Sequence, residues 1–257
     1  MEYVAAYHTD VGISKKTNQD SLAIKVAETA DGIVCFSIVC DGMGGLAKGE
    51  LASKEVIEAF TEWYETVLLS DIENGRFDED RLIAQWNEII QFQNKRLGAY
   101  GQKNQLQLGT TVSAILIYKD QYYIVHVGDS RIYQLTDKSK QLTKDQTLIQ
   151  REMDAGRLSP EMAKVDPRRS ILLQCVGASP IAEPEFTKGE VKSGATYLLC
   201  SDGFRHKISE EEMLIQIGPM NARNEGAMHH GCIVLTELVK QRKETDNITV
   251  VLIRAEE

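Results

Sequence analysis

No stretch of this 257-residue sequence approaches the roughly 18–20 apolar residues of a bilayer-spanning helix. The first ten residues, MEYVAAYHTD, lack a basic leader followed by an apolar core, so no secretory signal is expected and the cytoplasm is the expected compartment. Basic charge is scarce as well. The 29 Lys and Arg stand against 38 Asp and Glu, a formal net charge of −9, and the local clusters SKK (14–16) and PRR (167–169) are too short to track a duplex. That argues against a nucleic-acid partner. The five cysteines show no regular spacing and sit mostly in apolar runs, as Cys35, Cys40 and Cys200 do, which reads as buried reduced thiols. Six residues after each cysteine stand Asp41, Leu46, Ile181, His206 and Leu238, never arginine, which excludes the phosphate loop of a cysteine phosphatase. No G-x-x-x-x-G-K-[ST] loop occurs either. His229 and His230 are adjacent in a stretch of helical period, where neighbours face different ways, so they read as surface or packing residues rather than a zinc site.

What remains is an ordinary globular composition, 42% hydrophobic and 26% charged, able to bury a substantial core. Apolar runs rich in β-branched and aromatic residues predict strands over 33–39, 111–118, 122–127, 131–135, 196–200 and 248–253. The second and third of these are joined by KDQ, the mark of an antiparallel hairpin. Helical spacing runs through 49–69 and 78–100, again over 225–241, and more briefly over 210–217. Two long helices in succession, with runs of strands before and after, fit an α+β fold with helices on the faces of antiparallel sheets. No linker divides the chain, so one domain over 1–257 is expected. Within it, residues 136–185 hold four of the five prolines and only short helical hints, such as 146–155. A segment that long between strands is expected to be a lid or binding subdomain.

The stretch IVCFSIVCDGMGG (33–45) delivers a carboxylate, Asp41, at the end of an apolar run and then places glycine at three of the next four positions. Asp129 in VHVGDS, Asp202 in YLLCSDG and Asp246 in ETDNITVV also sit where the expected strands begin or end. Any one of them alone reads as a turn residue, since Asp-Gly is a common turn signature. If the four strand ends meet, the result is an all-oxygen cluster in which like charges raise one another's pKa. Mg²⁺ or Mn²⁺ would relieve that repulsion and would favour those ligands. The carbonyl of Gly42 could join such a site, with small residues at 42 and 203 leaving room for water and substrate. The rival reading is a dinucleotide loop, because GMGGLA (42–47) fits G-x-G-x-x-G/A. Asp41 would repel the pyrophosphate, however, and a second helix stands where a Rossmann unit needs a parallel strand ending in an acid.

In chain order the motifs are TDVGISKKTNQDS, CDGMGG, GTTVSAIL, VGDSRIY, LTKDQT, PRRSILLQCVGA, LLCSDGF and DNITVVL. Together they resemble the metal-dependent serine/threonine protein phosphatases of the PPM, or type 2C, family in their compact bacterial form, over nearly the whole chain. The resemblance implies a four-layer α-β-β-α sandwich with a metal centre at one edge. It also implies direct attack of a water activated by two metal ions on phosphoserine or phosphothreonine. Asp41 would bridge two Mn²⁺ or Mg²⁺ ions, one completed by Asp202 and Asp246, the other by the Gly42 carbonyl and waters. Asp129 with Asp202 would hold a weaker third ion, Asp20 would orient the attacking water, and 136–185 would be the flap beside the cleft. The implied partners are phosphorylated Ser/Thr proteins and a cognate kinase, in a signalling role, for a monomer with neither nucleic-acid nor membrane partners.

The chain departs from the family pattern at two places. Lys15 stands where the family usually has an arginine that grips the substrate phosphate, giving a point charge in place of a planar fork. Lys16 or Arg131 could supply that charge instead. Met43 replaces a histidine common in animal members, leaving the proton donor for the leaving alcohol unidentified. A competing reading is a non-catalytic module of the same fold that binds a partner, against which the complete acid set argues.

Overall fold

The computed structural model describes residues 2–44 and 48–256, so Gly45–Ala47 of the GMGGLA stretch lie outside the described residues. Two sheets form, every named strand pairing in them antiparallel. One runs in the order β1 (Glu2–Asp10), β11 (Ile248–Glu256), β10 (Thr196–Cys200), β7 (Arg131–Leu135), β8 (Ser139–Gln141). The other runs β2 (Asp20–Thr29), β3 (Gly32–Gly44), β5 (Val112–Tyr118), β6 (Gln121–Val127), β9 (Glu185–Glu190), with short β4 (Leu108–Thr110) paired to the end of β3.

The side-chain period of a strand, two residues, divides the core into three layers. On β3, Cys35 and Val39 point between the sheets, where they join Ile115, Ile117, Tyr197, Leu199, Val251 and Ile253. Their alternates, Phe36 and Ile38, face α1 (Gly49–Trp63) and α3 (Glu79–Asn104), meeting Val56, Phe60 and Trp86. On the opposite flank Leu198, Cys200, Val250 and Leu252 face α7 (Glu210–Ile217) and α8 (Glu225–Gln241). Strands covered on both faces need continuous apolar runs, which is why β3, β5, β10 and β11 were legible. The layering is the expected α-β-β-α sandwich. Each fully buried aliphatic or aromatic side chain contributes about 1.5–3 kcal/mol, so all three layers are needed to offset chain entropy.

Local signals set the helix ends. Asp78 caps α3 by accepting from the Asp80 and Arg81 amides, and Ser209 with Glu212 closes a capping box on α7. The helix expected over 49–69 is interrupted: α1 passes into a π turn, Tyr64–Leu68, before α2 (Leu69–Glu73). That extra residue in the turn lets Trp63, Tyr64 and Leu68 all reach the core. The β5–β6 hairpin turns at Lys119 and Asp120, with Lys119 at φ 56°. Residues 136–185 contain β8, α4 (Leu148–Asp154) and α5 (Pro160–Val165), tied down by bridges Thr147–Leu172 and Thr110–Val176. All five cysteines are free and buried, and His229 and His230 are exposed on α8. No helix among the described residues is long and apolar enough to cross a membrane.

Candidate metal centre

The β2–β3 register places Asp20 directly opposite Asp41. β10 runs from the other sheet into Ser201 and then Asp202, the first residue of α6 (Asp202–Arg205), and Asp246 precedes β11. Asp129 lies in the loop between β6 and β7 that carries the chain from one sheet to the other. All of these acids converge: Asp20, Asp202, Asp129 and Asp246 each act on the Asp41 carboxyl, which shares a hydrogen bond with Asp202. Burial, and then mutual repulsion, pushes Asp41 well above the usual carboxylate range. Asp20 and Asp129 rise to about 7 and Asp202 to about 6, burial again being the first cause.

Backbone clamps fix these carboxylates. The Asp41 amide donates to Thr111 Oγ1 at 2.9 Å, and its carbonyl accepts from the Thr111 amide at 2.9 Å and from Thr110 Oγ1 at 3.0 Å. Thr111 Oγ1 is 2.7 Å from Ser130 Oγ, so the GTT of β4–β5 ties the Asp41 strand to the Asp129 loop. Ser201 Oγ donates to Asp20 Oδ2 at 2.8 Å, a bond from one sheet to the other. Asn247 moors the chain before β2: its Oδ1 accepts from the Gln19 amide at 2.9 Å, and its Nδ2 donates to the Val11 and Thr17 carbonyls at 2.9 and 3.1 Å. Of the clamping residues, Thr110, Thr111, Ser130, Ser201 and Asn247 were not singled out in the sequence. Their motifs were visible, but the partners lie up to 236 residues apart.

Two expectations need correction, one on the glycines and one on Arg131. Gly42 and Gly203 do not lack side chains to make room for solvent. A Cβ on Gly42 would run into the Gly49 and Gln19 carbonyls, and one on Gly203 into the Asn247 carbonyl, so both are demanded by backbone packing. Lys15 points at an acid: its Nζ is 2.8 Å from Asp246 Oδ1, with both side chains about 40% exposed. Arg131 has no free charge to offer, because its guanidinium grips Asp145 bidentately at 2.7 and 2.8 Å and reaches Tyr133 Oη at 2.9 Å. Lys16 is exposed. At position 43 the structure brings a thioether, with Met43 Sδ 3.0 Å from Cys175 Sγ.

Arg205 is a feature the sequence did not announce. Nearly buried, its Nη2 donates to the Asp129 carbonyl at 2.9 Å and lies 3.4 Å from Asp129 Oδ2 and 3.3 Å from Asp145 Oδ2. Glu244, also buried, accepts the Thr245 and Asp246 amides and lies 3.8 Å from His206, which is itself 3.6 Å from Asp202.

A divalent cation suits this chemistry. The donors are all oxygen, and two buried carboxylate oxygens, Asp20 Oδ1 and Asp202 Oδ1, have no hydrogen-bond partner. Among the described residues no three acidic, His or Cys side chains close around one point, so side chains alone do not complete a shell. A hard cation that keeps several waters and takes a backbone carbonyl fits that arrangement; a zinc site built of His and Cys does not.

A family model described as Protein phosphatase 2C matches residues 13–230. The serine/threonine protein phosphatase PstP of Mycobacterium tuberculosis is 33% identical over 250 residues, 96% of this chain, which spans only 44% of that relative's length. The serine/threonine phosphatase stp of Listeria innocua is 32% identical over 97% of this chain and 94% of its own. The solved serine/threonine phosphatase of S. agalactiae superposes with a TM-score of 0.84 at 28% identity, covering 99% of this chain and all of that one. The PstP catalytic domain in complex with two manganese ions gives 0.77 at 30% identity, with each chain fully covered.

Proposed function

Because this chain belongs to the protein phosphatase 2C family, we propose that it is a metal-dependent phosphatase that hydrolyses phosphoserine and phosphothreonine in other proteins. The observation that carries this reading is the convergence of Asp41, Asp202, Asp246 and Asp20, from two sheets, into one repelling cluster with two orphaned oxygens. Asp41, Asp202, Asp246 and the Gly42 carbonyl would hold two Mn²⁺ or Mg²⁺ ions, in keeping with the manganese complex of the mycobacterial relative. Bound there, the ions supply Lewis-acid polarisation of the phosphate and a lowered pKa for the attacking water. Asp20 Oδ1, with no donor of its own, would accept a hydrogen bond from that water and fix its direction. The clamps from Thr110 and Thr111 hold Asp41 so that its geometry is set before substrate arrives. Lys15 sits half-exposed at the rim, where its ammonium can attract a phosphate while remaining paired with Asp246. Neither Met43 nor the Cys175 thiol beside it, which burial pushes up to about 12, is a useful proton donor at neutral pH. Aryl phosphates, whose leaving groups need little protonation, should therefore turn over best.

The substrates and setting belong to the same reading: cytoplasmic phosphoproteins, a cognate Ser/Thr kinase working in opposition, a monomer, one catalytic domain over 1–257, and 136–185 as the flap. A net charge of −9 agrees with a protein partner rather than nucleic acid. The second reading, a non-catalytic module that binds a partner, is disfavoured by an acid cluster that destabilises the metal-free form. The deciding assay is p-nitrophenyl phosphate hydrolysis with Mn²⁺, with EDTA, and with Asp41→Asn. Turnover should require the ion and fall at least ~100-fold in the variant, since even the partners of metal ligands are worth 10–100-fold. Turnover that survives chelation overturns the reading.

A further inference from the structure

Beside the acid cluster lies a cavity of about 1140 Å³ that none of the proposed catalytic groups enters. α4 and α5 supply one wall, and the end of α6 with α7 the other. It exceeds the ~300–1,000 Å³ of ordinary small-ligand pockets, a size suited to a stretch of chain rather than a single ion. In a chain of net charge −9, six Lys and Arg line it against three Asp and Glu. Three of those cations are already matched: Arg131 by Asp145, Arg205 by Asp129 and Asp145, and Arg242 by Glu212 at 2.6 Å. Lys164, Arg169 and Lys207 are exposed on the rim and have no ion pair within 4 Å among the described residues, while Asp145 and Glu212 are occupied. Glu210, exposed, is the lining acid with no ion pair among the described residues, and against it the three cations leave a positive surplus. Met153 and the exposed Val165 give the cavity apolar surface on which the stems of a peptide's side chains can pack.

The wall between this cavity and the carboxylates is one side chain thick. Arg205 faces the cavity and also donates to Asp129, and His206 faces it and lies 3.6 Å from Asp202. We propose that this cavity receives an acidic or phosphorylated segment of the phosphoprotein substrate, next to the residue being dephosphorylated. The inference rests on the phosphatase reading and names the substrate class within it. A carboxylate or second phosphate on that segment then meets Lys164, Arg169 and Lys207, which bind it as charge-assisted donors.

The test compares three substrates: p-nitrophenyl phosphate, a phosphothreonine peptide with Asp and Glu on both flanks, and the same peptide with Ser and Gly there. The native enzyme should show kcat/KM about three- to tenfold higher for the acidic peptide, through KM. The double variants Lys164→Glu/Lys207→Glu and Lys164→Gln/Lys207→Gln should erase that preference while leaving p-nitrophenyl phosphate turnover unchanged; the neutral pair decides if the reversed pair does not fold. An unphosphorylated acidic peptide should compete with the peptide substrates and not with p-nitrophenyl phosphate. Equal kcat/KM for the two peptides, or a preference that survives both variants, overturns this inference alone. No turnover of any substrate by the native protein overturns the phosphatase reading and this one with it.

Discussion

Two side chains bear on the proposed cation site. The Lys15 ammonium, 2.8 Å from Asp246 Oδ1, would compete with a metal held there and would also attract an arriving phosphate. Removing it should therefore push two constants in opposite directions. Lys15→Ala is expected to tighten Mn²⁺ binding by up to about fivefold, the reach of a partly exposed pair worth ~0.2–1 kcal/mol, and to raise KM for phosphopeptides. Calorimetric titration and steady-state kinetics separate the two effects, and a change in neither would make Lys15 a plain surface lysine. Arg205 acts more strongly because it is nearly buried. Its guanidinium already neutralises Asp129, the acid expected to hold a third ion, so the native protein should bind two Mn²⁺ with high affinity. Arg205→Gln strips Asp129 of its cation, and breaking a buried pair costs ~3–5 kcal/mol. The variant should melt earlier without metal and recover in millimolar Mn²⁺ as a further ion takes the vacated role. Elemental analysis after gel filtration would read the stoichiometry. The acids themselves were legible because Asp after an apolar run is a local signal. Arg205 was not, since its partners Asp129 and Asp145 are 76 and 60 residues away.

At the scale of elements, legibility followed burial. β3, β5, β6, β7, β10 and β11 announce themselves as apolar runs, whereas β1 and β2 went unread. Their residues are mostly half-buried or exposed, as Tyr7 and Val26 are, so the alternation is diluted by polar side chains. β8 and β9 are short or exposed and carry no pattern of their own. The π turn was invisible because period 3.6 and a single wider turn place the same residues inside over one or two cycles. The join between α2 and α3 shows what a long connection needs in place of apolar contacts. Asp71, buried, accepts from Arg76 at 3.1 Å, Arg81 at 2.6 Å and Gln85 at 2.9 Å. Burial would raise its pKa, but the bonds from Arg81, Gln85 and Arg76 hold it below the ordinary value. Asp71→Ala should cost about 1–3 kcal/mol, the penalty for stranding such donors, though the arginines are half-exposed and recover some of it from water. The loss should appear in denaturant melts while metal affinity stays unchanged.

For the whole molecule, the acid cluster sets the sign of the pH dependence. Asp20, Asp129 and Asp202 have folded pKa values raised above their unfolded ones, so in the metal-free protein the native state holds protons that the unfolded chain has lost. Stability then falls as pH rises from about 4 toward 7. His126 and His206 act oppositely, because burial keeps both neutral down to about 4 and their contribution is lost on acidification below the ordinary histidine pKa, about 6.5. Above that value the histidines are silent and the carboxylates act alone. The metal-free protein should thus melt at lower temperature at pH 8 than at pH 6.5. With Mn²⁺ the order should reverse, since the ion binds only ionised ligands. Melting curves at the two pH values, with EDTA and with Mn²⁺, check both signs. Asp20 and Asp41 belong to one sheet, while Asp202 and Asp246 border strands of the other, and the hydroxyls of Thr249 and Ser201 reach across to Asp20. A cation pair seated among them is also a rivet through two leaves stacked face to face. Drawing it out would loosen that rim first.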